Sequence, residues 1–122
     1  MAQFINAPSI IKAAGTKGKI IKEFFGHVNS KTTEVSIAQM KSPEGWVEPG
    51  QRPKFNEYTV VLKGKLRITT RNEEFEISEG QGIMTAKDEW VRYSTPFEGG
   101  AEYIAVCLPA FSPEIVLRDP LT

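Results

Sequence analysis

The chain has 122 residues, a length that suits one domain and is too short for two ordinary ones. Its 15 basic and 15 acidic residues balance, which excludes a domain-wide charge that would attract nucleic acid or an anionic membrane. A single cysteine excludes an intrachain disulfide, and a single histidine excludes a metal site built from several histidines of one chain.

Residues 1–19 lack the order of charged and apolar regions that a signal peptide needs, and no apolar run is long enough for a membrane helix. Together with the lone thiol, these features predict a cytoplasmic protein. We expect residues 1–122 to form one domain, with residues 1–18 as an N-terminal arm.

The sequence of the first half of the chain predicts several β-strands. Ser9–Ala14 is the one segment that suits a helical turn. Two strands are predicted in KIIKEFFGHV and TTEVSIAQM, joined by a turn at Asn29–Lys31. Further on, Glu57–Leu62 and Leu66–Thr70 read as the two strands of a hairpin around the turn Lys63-Gly64-Lys65.

The second half continues in the same way. Phe75 and Ile77 alternate with polar residues, which is the period-two pattern of a half-buried strand. Three further apolar runs lie at residues 83–86, Trp90–Ser94 and Ala101–Leu108. Eight or so short strands predict an all-β fold, a small jelly-roll or closed barrel, with an extended tail after the last strand.

From Gly45 to Pro109 the spacing resembles the cupin family. The first cupin motif has a glycine, five residues, a histidine, one residue, a histidine, three or four residues, a glutamate, six residues and a glycine. The chain carries, at those positions, Gly45, Gln51, Pro53, Glu57 and Gly64. The resemblance implies a small single-domain cupin of the cupin 2 type, with a double-stranded β-helix barrel.

The second cupin motif matches only at its glycine, Gly80, and its histidine position holds Val91. In many cupins three histidines and the glutamate hold a metal, and here only Glu57 of those four ligands remains. The resemblance therefore does not extend to the metal site, and we expect no metal or other cofactor. If a metal does bind, the candidate ligands are Glu57, Gln51 and His27.

Glu57 is the first candidate catalytic residue, because the resemblance places its strand face inside the barrel. Burial would raise its pKa toward a range useful for acid–base chemistry. The alternative is a structural ion pair with Arg52, Lys54 or Arg92.

Tyr93 is the second candidate catalytic residue. It shares a face with Val91, so it points into the barrel if Val91 replaces the cupin histidine, and its hydroxyl can then donate a proton. The alternatives are an ordinary core position, or a one-residue slip that turns Trp90 and Arg92 inward instead.

The candidate ligand-binding residues are Gln51, Arg52, Lys54 and Arg92. Gln51 takes the first histidine position, and its alternative is a loop residue bonded to backbone. Arg52 and Lys54 flank it in a proline-rich segment expected at the mouth of the barrel, where their charges would receive a carboxylate or phosphate or remain solvated.

Cys107 and His27 are the candidates for a nucleophilic dyad. Cys107 lies in an apolar strand, which is typical of an inert core residue, and His27 lies near a hairpin end. A nucleophilic dyad would require the two side chains to meet.

These residues predict a barrel that binds a small polar or anionic molecule without the usual metal. If it is an enzyme, we expect a lyase or an isomerase or epimerase in which Glu57 and Tyr93 act as acid and base. The alternatives are a ligand-binding or sensor protein, a structural dimeric barrel, and a metal-dependent cupin with atypical ligands. A homodimer is expected, because KIIKEFFGHV is too apolar for a free sheet edge.

Overall fold

The computed structural model describes residues 1–120. In chain order the elements are β1 (Ser9–Ile11), β2 (Ile20–Phe25), β3 (Ser36–Ser42), β4 (Trp46–Val47), β5 (Asn56–Thr70), β6 (Glu74–Ser78), β7 (Gly82–Thr85), β8 (Val91–Thr95), β9 (Ala101–Leu108) and α1 (Pro113–Val116). The all-β jelly-roll prediction is confirmed.

Every strand pairing is antiparallel, and β5 joins the two sheets of the barrel. The first sheet contains β1, β2, β3, β9, the first half of β5 and β7. The second sheet contains β4, β8, the second half of β5 and β6. Alternate side chains in the first half of β5, Glu57, Thr59 and Val61, face the interior that both sheets enclose.

The predicted hairpin at residues 57–70 is wrong, because β5 runs through it as one strand of 15 residues. A bulge lies between Val61 and Lys63, and Gly64 has a φ of 77°. A side chain at Gly64 would collide with the carbonyl oxygen of Gly100. The Lys-Gly-Lys segment is therefore the bend by which β5 passes from one sheet to the other, and the glycine permits the close approach.

The N-terminal segment also differs from its prediction. Residues 9–11 form the strand β1 and no helical turn, and β1 pairs with β2. The turn predicted at Asn29–Lys31 is present, with Lys31 at a φ of 60°. Because β1 covers the edge of β2, the apolar residues of β2 do not lie on a free edge, and this argument for a homodimer does not hold.

The interior contains two groups of buried apolar side chains. The larger group lies between the two sheets and includes Trp46, Leu66, Ile68, Val91 and Tyr103. The smaller group joins Phe55 and Cys107 to Val116 of α1.

The tail is not simply extended as predicted, because α1 packs Val116 into this smaller group. Backbone amides of Arg52 and Lys54 donate to the carbonyls of Leu117 and Ile115 and so hold the tail to the proline-rich segment. Within residues 1–120, no helix is long and apolar enough to cross a membrane.

Candidate functional site

A cavity of about 60 Å³ lies inside the barrel, next to the first half of β5. Its walls are largely apolar, and Arg118 of the tail reaches it from the exposed surface. The polar side chains that line its interior are Lys19, Glu23, Ser36, Glu48, Gln51, Glu57, Tyr93 and Tyr103. Apolar walls with a few convergent polar groups are the usual composition of a small-molecule site.

Glu57 is the central acidic group of the cavity. It stands on β5 opposite Thr85 on one side and Cys107 on the other, and its side chain is 8% exposed. Burial and, to a lesser extent, the neighbouring Glu48 raise the pKa of Glu57, Lys19 and the Tyr93 hydroxyl oppose them, and the resulting pKa is about 7. The carboxyl group therefore populates both its protonated and its ionised form at neutral pH.

The structural alternative for Glu57 is wrong, since none of its three proposed ion-pair partners lies in the cavity. Lys54 forms an ion pair of 2.6 Å with Asp88 at the surface. Arg52 donates to the carbonyl oxygen of Asp88 at 3.4 Å. Arg92 is exposed, with its guanidinium 6.0 Å from the centre of the Trp90 ring. The structure thus does not bring these three candidate ligand-binding residues to the site.

Tyr93 enters the cavity from β8. Val91 and Tyr93 are buried on the inner face of this strand, whereas Arg92 faces outward, so the alternative one-residue slip does not occur. The Tyr93 hydroxyl and Thr85 Oγ1 form a hydrogen bond of 3.0 Å. Burial raises the pKa of Tyr93 well above its ordinary value, so the hydroxyl keeps its proton at neutral pH.

Gln51 lies in the cavity lining and is 4% exposed. Its backbone amide donates to the Val91 carbonyl, and the Val91 amide donates to the Gln51 carbonyl, both at 2.9 Å. Its side-chain Oε1 is buried and accepts no hydrogen bond from the described residues. Gln51 therefore makes the backbone hydrogen bonds that were expected if it were a loop residue, and it also lines the cavity.

The sequence reasoning missed four charged residues of the site. Two of them, Glu23 and Arg118, lie on β2 and in the tail, and the other two are Lys19 and Glu48. Burial would lower the pKa of Lys19, but Tyr103 and Glu48 oppose this effect and the net pKa lies above its ordinary value. Burial raises the pKa of Glu48, whereas Lys19 and Arg118 lower it.

A period-two signal for both residues was present in the sequence. Lys19 stands two residues before Ile21, which also lines the cavity, and Glu48 stands two residues after the buried Trp46. Both lie just outside a strand, in segments that read as glycine- and proline-rich loops.

Cys107 and His27 do not form a dyad. Cys107 lines the cavity beside Glu57, where burial raises the pKa of its thiol well above the ordinary value. His27 is exposed after β2 and is absent from the cavity lining. A thiol that stays protonated at neutral pH is a poor nucleophile.

Solved structures of other proteins superpose on this barrel. The polyketide cyclase RemF from Streptomyces resistomycificus covers 100% of the chain and is itself covered over 87%, with a TM-score of 0.76 and 12% identity. EutQ from Clostridium difficile covers 75% of the chain and is covered over 63%, with a TM-score of 0.63 and 23% identity. Both are cupin barrels. The chain has the cupin fold.

One curated protein resembles the chain in sequence. Endoribonuclease YbeY of Myxococcus xanthus is 40% identical over 98 residues, which are 80% of this chain and 33% of that protein. The chain thus spans about a third of this relative, and the activity in its name belongs to the longer protein. No family model matches the chain.

The metal of many cupins does not fit the side chains at the corresponding positions. Pro53 and Val91 offer no donor atom, Gln51 offers a neutral amide, and Glu57 alone offers a carboxylate. His27, the remaining candidate ligand, lies outside the cavity, and the described residues contain no group of three or more histidine, cysteine or acidic side chains placed to hold a metal.

Proposed function

We propose that this cupin barrel is a metal-independent acid–base catalyst, a lyase or an isomerase, that acts on a small polar or anionic molecule. The observation that supports the proposal is the position of Glu57, a buried carboxyl group with a pKa of about 7 that shares a cavity with the Tyr93 hydroxyl. Two titratable groups that converge on one cavity favour catalysis over simple binding.

The pKa of Glu57 suits it to remove and return a proton. A general base works best when its pKa lies near the operating pH, because it is then both sufficiently ionised and sufficiently basic. An ordinary glutamate with a pKa of 4.5 would be ionised but a weak base. In the proposed reaction the Glu57 carboxylate takes a proton from a substrate carbon next to a carbonyl group.

The electron pair of the broken C–H bond then moves to the carbonyl oxygen. Lys19 and the protonated Tyr93 hydroxyl are the groups that can stabilise the negative charge on this oxygen. In an isomerisation of a 2-hydroxy carbonyl compound, the hydroxyl proton shifts to the oxyanion, and protonated Glu57 returns its proton to the former carbonyl carbon. In a lyase reaction, the electron pair returns from the oxygen to re-form the carbonyl group, and a leaving group departs with its bonding electrons from the next carbon. The leaving group then takes the proton of Glu57, which restores the carboxylate.

The cavity volume limits the size of the substrate. One water molecule needs roughly 10–15 Å³ of such volume. The 60 Å³ of this cavity therefore suit a molecule of a few non-hydrogen atoms. Glycolaldehyde, dihydroxyacetone and pyruvate are carbonyl compounds of this size and serve as probes.

Hydrogen exchange with solvent tests the proposal. We expect the protein to catalyse the exchange of deuterium from D₂O into at least one of the three probes, read by proton NMR. Glu57→Gln should lower the rate about 100-fold or more, because the amide cannot accept the proton. Glu79→Gln, at an exposed turn, is the matched control and should keep the full rate. Equal rates for Glu57→Gln and the unchanged chain would contradict the proposal and favour a binding protein.

Metal analysis tests the metal-independent part separately. Protein purified without a histidine tag should contain far less than one equivalent of iron, zinc or manganese. A stoichiometric amount of any of these metals would contradict this part of the proposal.

We also propose a cytoplasmic location. The lone Cys107 thiol supports it, because free thiols are typical of a reducing compartment.

A further inference from the structure

Two polar groups of the cavity specify what a ligand must offer. Gln51 Oε1 accepts no hydrogen bond from the described residues. Lys19 hydrogen-bonds the Tyr103 hydroxyl but forms no ion pair with any described residue. We propose that the cavity binds a short 2-hydroxy carboxylic acid, with its carboxylate at Lys19 and its hydroxyl donating to Gln51 Oε1. This inference rests on the proposed function because it names the ligand class of the same cavity.

Lys19 supplies the charge that selects a carboxylate. Its ammonium group lies 4.0 Å from the centre of the Trp46 ring and 5.4 Å from that of Tyr103, so two aromatic faces hold it in place. Glu48 and Glu57 offset its charge without a direct ion pair, which leaves N–H donors for a ligand oxygen. Arg118 adds a second cation to the same lining.

Gln51 supplies the acceptor that selects a hydroxyl group. A buried acceptor without a donor costs free energy, and the backbone of Gln51 is held by two hydrogen bonds to Val91, so the residue cannot simply turn to solvent. A ligand hydroxyl satisfies this acceptor. An acid such as acetate, which has no hydroxyl, leaves it unsatisfied.

Charged groups of both signs surround Glu57 in the cavity. Lys19 on the segment before β2 and Arg118 on the tail are cationic, Glu48 after β4 and Glu23 of β2 are acidic, and Tyr93 and Cys107 keep their protons. The Glu23 carboxylate already accepts hydrogen bonds from the backbone amides of Val28 and Asn29, so Lys19 is left as a cation that a ligand carboxylate can contact. A bound anion beside Glu57 also favours its protonated form, so we expect affinity to fall as the pH rises above 7.

Glycolate is the smallest probe of this class, and its five non-hydrogen atoms suit the size of the cavity. We expect glycolate to bind about tenfold more tightly than acetate in calorimetric titrations, since one satisfied acceptor is worth about that factor. Gln51→Leu, which conserves volume, should remove this preference and leave the affinity for acetate nearly unchanged. Lys19→Met should weaken both acids about tenfold or more, and Lys54→Met, which removes an exposed lysine, should change neither.

Three results would overturn the inference. They are the absence of glycolate binding by folded protein, a preference for glycolate that persists in Gln51→Leu, and tighter binding of glycine than of glycolate. Thermal unfolding of each variant establishes that it is folded before its affinity is compared. Binding of glycolate without exchange into any carbonyl probe would contradict the catalytic proposal alone, whereas exchange without glycolate binding would contradict the ligand class alone.

Discussion

Glu57 derives its chemistry from the strand that buries it and from the charges that other segments place beside it. Its position in the barrel follows from the cupin frame, in which Gly45 and Gly64 keep their spacing to it. Tyr93 was predictable from the alternation of β8. Lys19 and Glu48 were missed, because each continues the alternation of a strand into a glycine- or proline-rich segment that reads as a loop.

Thermal unfolding tests the effect of the raised Glu57 pKa on stability. The pKa of Glu57 is about 7 in the folded protein and exceeds the ordinary 4.5. Protonation of Glu57 therefore contributes fully to the free energy of unfolding below pH 4.5, and this contribution is lost as the pH rises through 7. The full loss is about 3 kcal/mol. Glu57→Gln should therefore match the unchanged chain at pH 5 and unfold at a higher temperature at pH 8. Glu79→Gln is the control, and a Glu57→Gln difference that is the same at both pH values would contradict the assignment.

Removal of the Lys19 charge should lower the unfolding temperature at pH 8, whereas Glu57→Gln should raise it. Lys19 lowers the pKa of both Glu57 and Glu48, so Lys19→Met raises both values and makes the ionised carboxylates more costly to bury. We expect the loss of unfolding temperature in Lys19→Met to be larger at pH 8 than at pH 5. Lys41→Met, in which the lysine is largely exposed, should show little change with pH. An equal loss at both pH values would show that Lys19 acts through packing alone.

At the scale of the elements, alternation located most strands, and Ala101–Leu108 has the predicted bounds. The hairpin was wrong because a glycine between two lysines has the same sequence signal at a turn and at a bend within a strand. What separates the two cases is a long-range contact, the approach of Gly64 to Gly100, which no local pattern contains. The short strand β1 was missed because its partner β2 lies further along the chain.

A comparison of Gly64 with Gly80 distinguishes the cost of a left-handed backbone from the cost of a steric collision. Gly64 and Gly80 have φ values of 77° and 82°, but only at Gly64 would a side chain collide with a neighbour. Gly80→Ala should cost about 1 kcal/mol for the left-handed backbone. Gly64→Ala should cost clearly more, about 3 kcal/mol, because the bend of β5 must shift. Denaturant unfolding measures both free energies, and equal costs would contradict the role of Gly64 as the bend.

At the scale of the whole molecule, both terminal segments complete the site. The segment before β2 contributes Lys19, and the tail contributes Arg118 and packs Val116 against Phe55. Sequence reasoning gave neither segment a role in the site, because their positions depend on hydrogen bonds to the residues around Gln51 and Trp46.

The outer face of the first sheet is the surface that we propose for a homodimer. Tyr58 and Val60 of β5 are 44% and 49% exposed, Met84 of β7 is 51% exposed, and Ile104 and Val106 continue the face on β9. This face carries no charge across its centre, so a second copy related by a two-fold axis can pair with it through the same apolar residues.

Light scattering at micromolar concentration tests this surface. We expect a dimer, and Val60→Lys should shift it toward monomer because it buries an unpaired charge at the contact. Val28→Lys is the matched control, since Val28 is 52% exposed at a turn away from the face. A monomer in the unchanged chain, or a dimer unaffected by Val60→Lys, would contradict the proposed interface.

The proposed chemistry requires a carboxyl group in the cavity that exchanges its proton near neutral pH. A carbon-13 NMR titration of the glutamate carboxyl carbons measures this pKa, with Glu57→Gln used to assign the resonance. We expect a midpoint near 7 for Glu57. A midpoint near the ordinary value of 4.5 would rule out the raised pKa of this group.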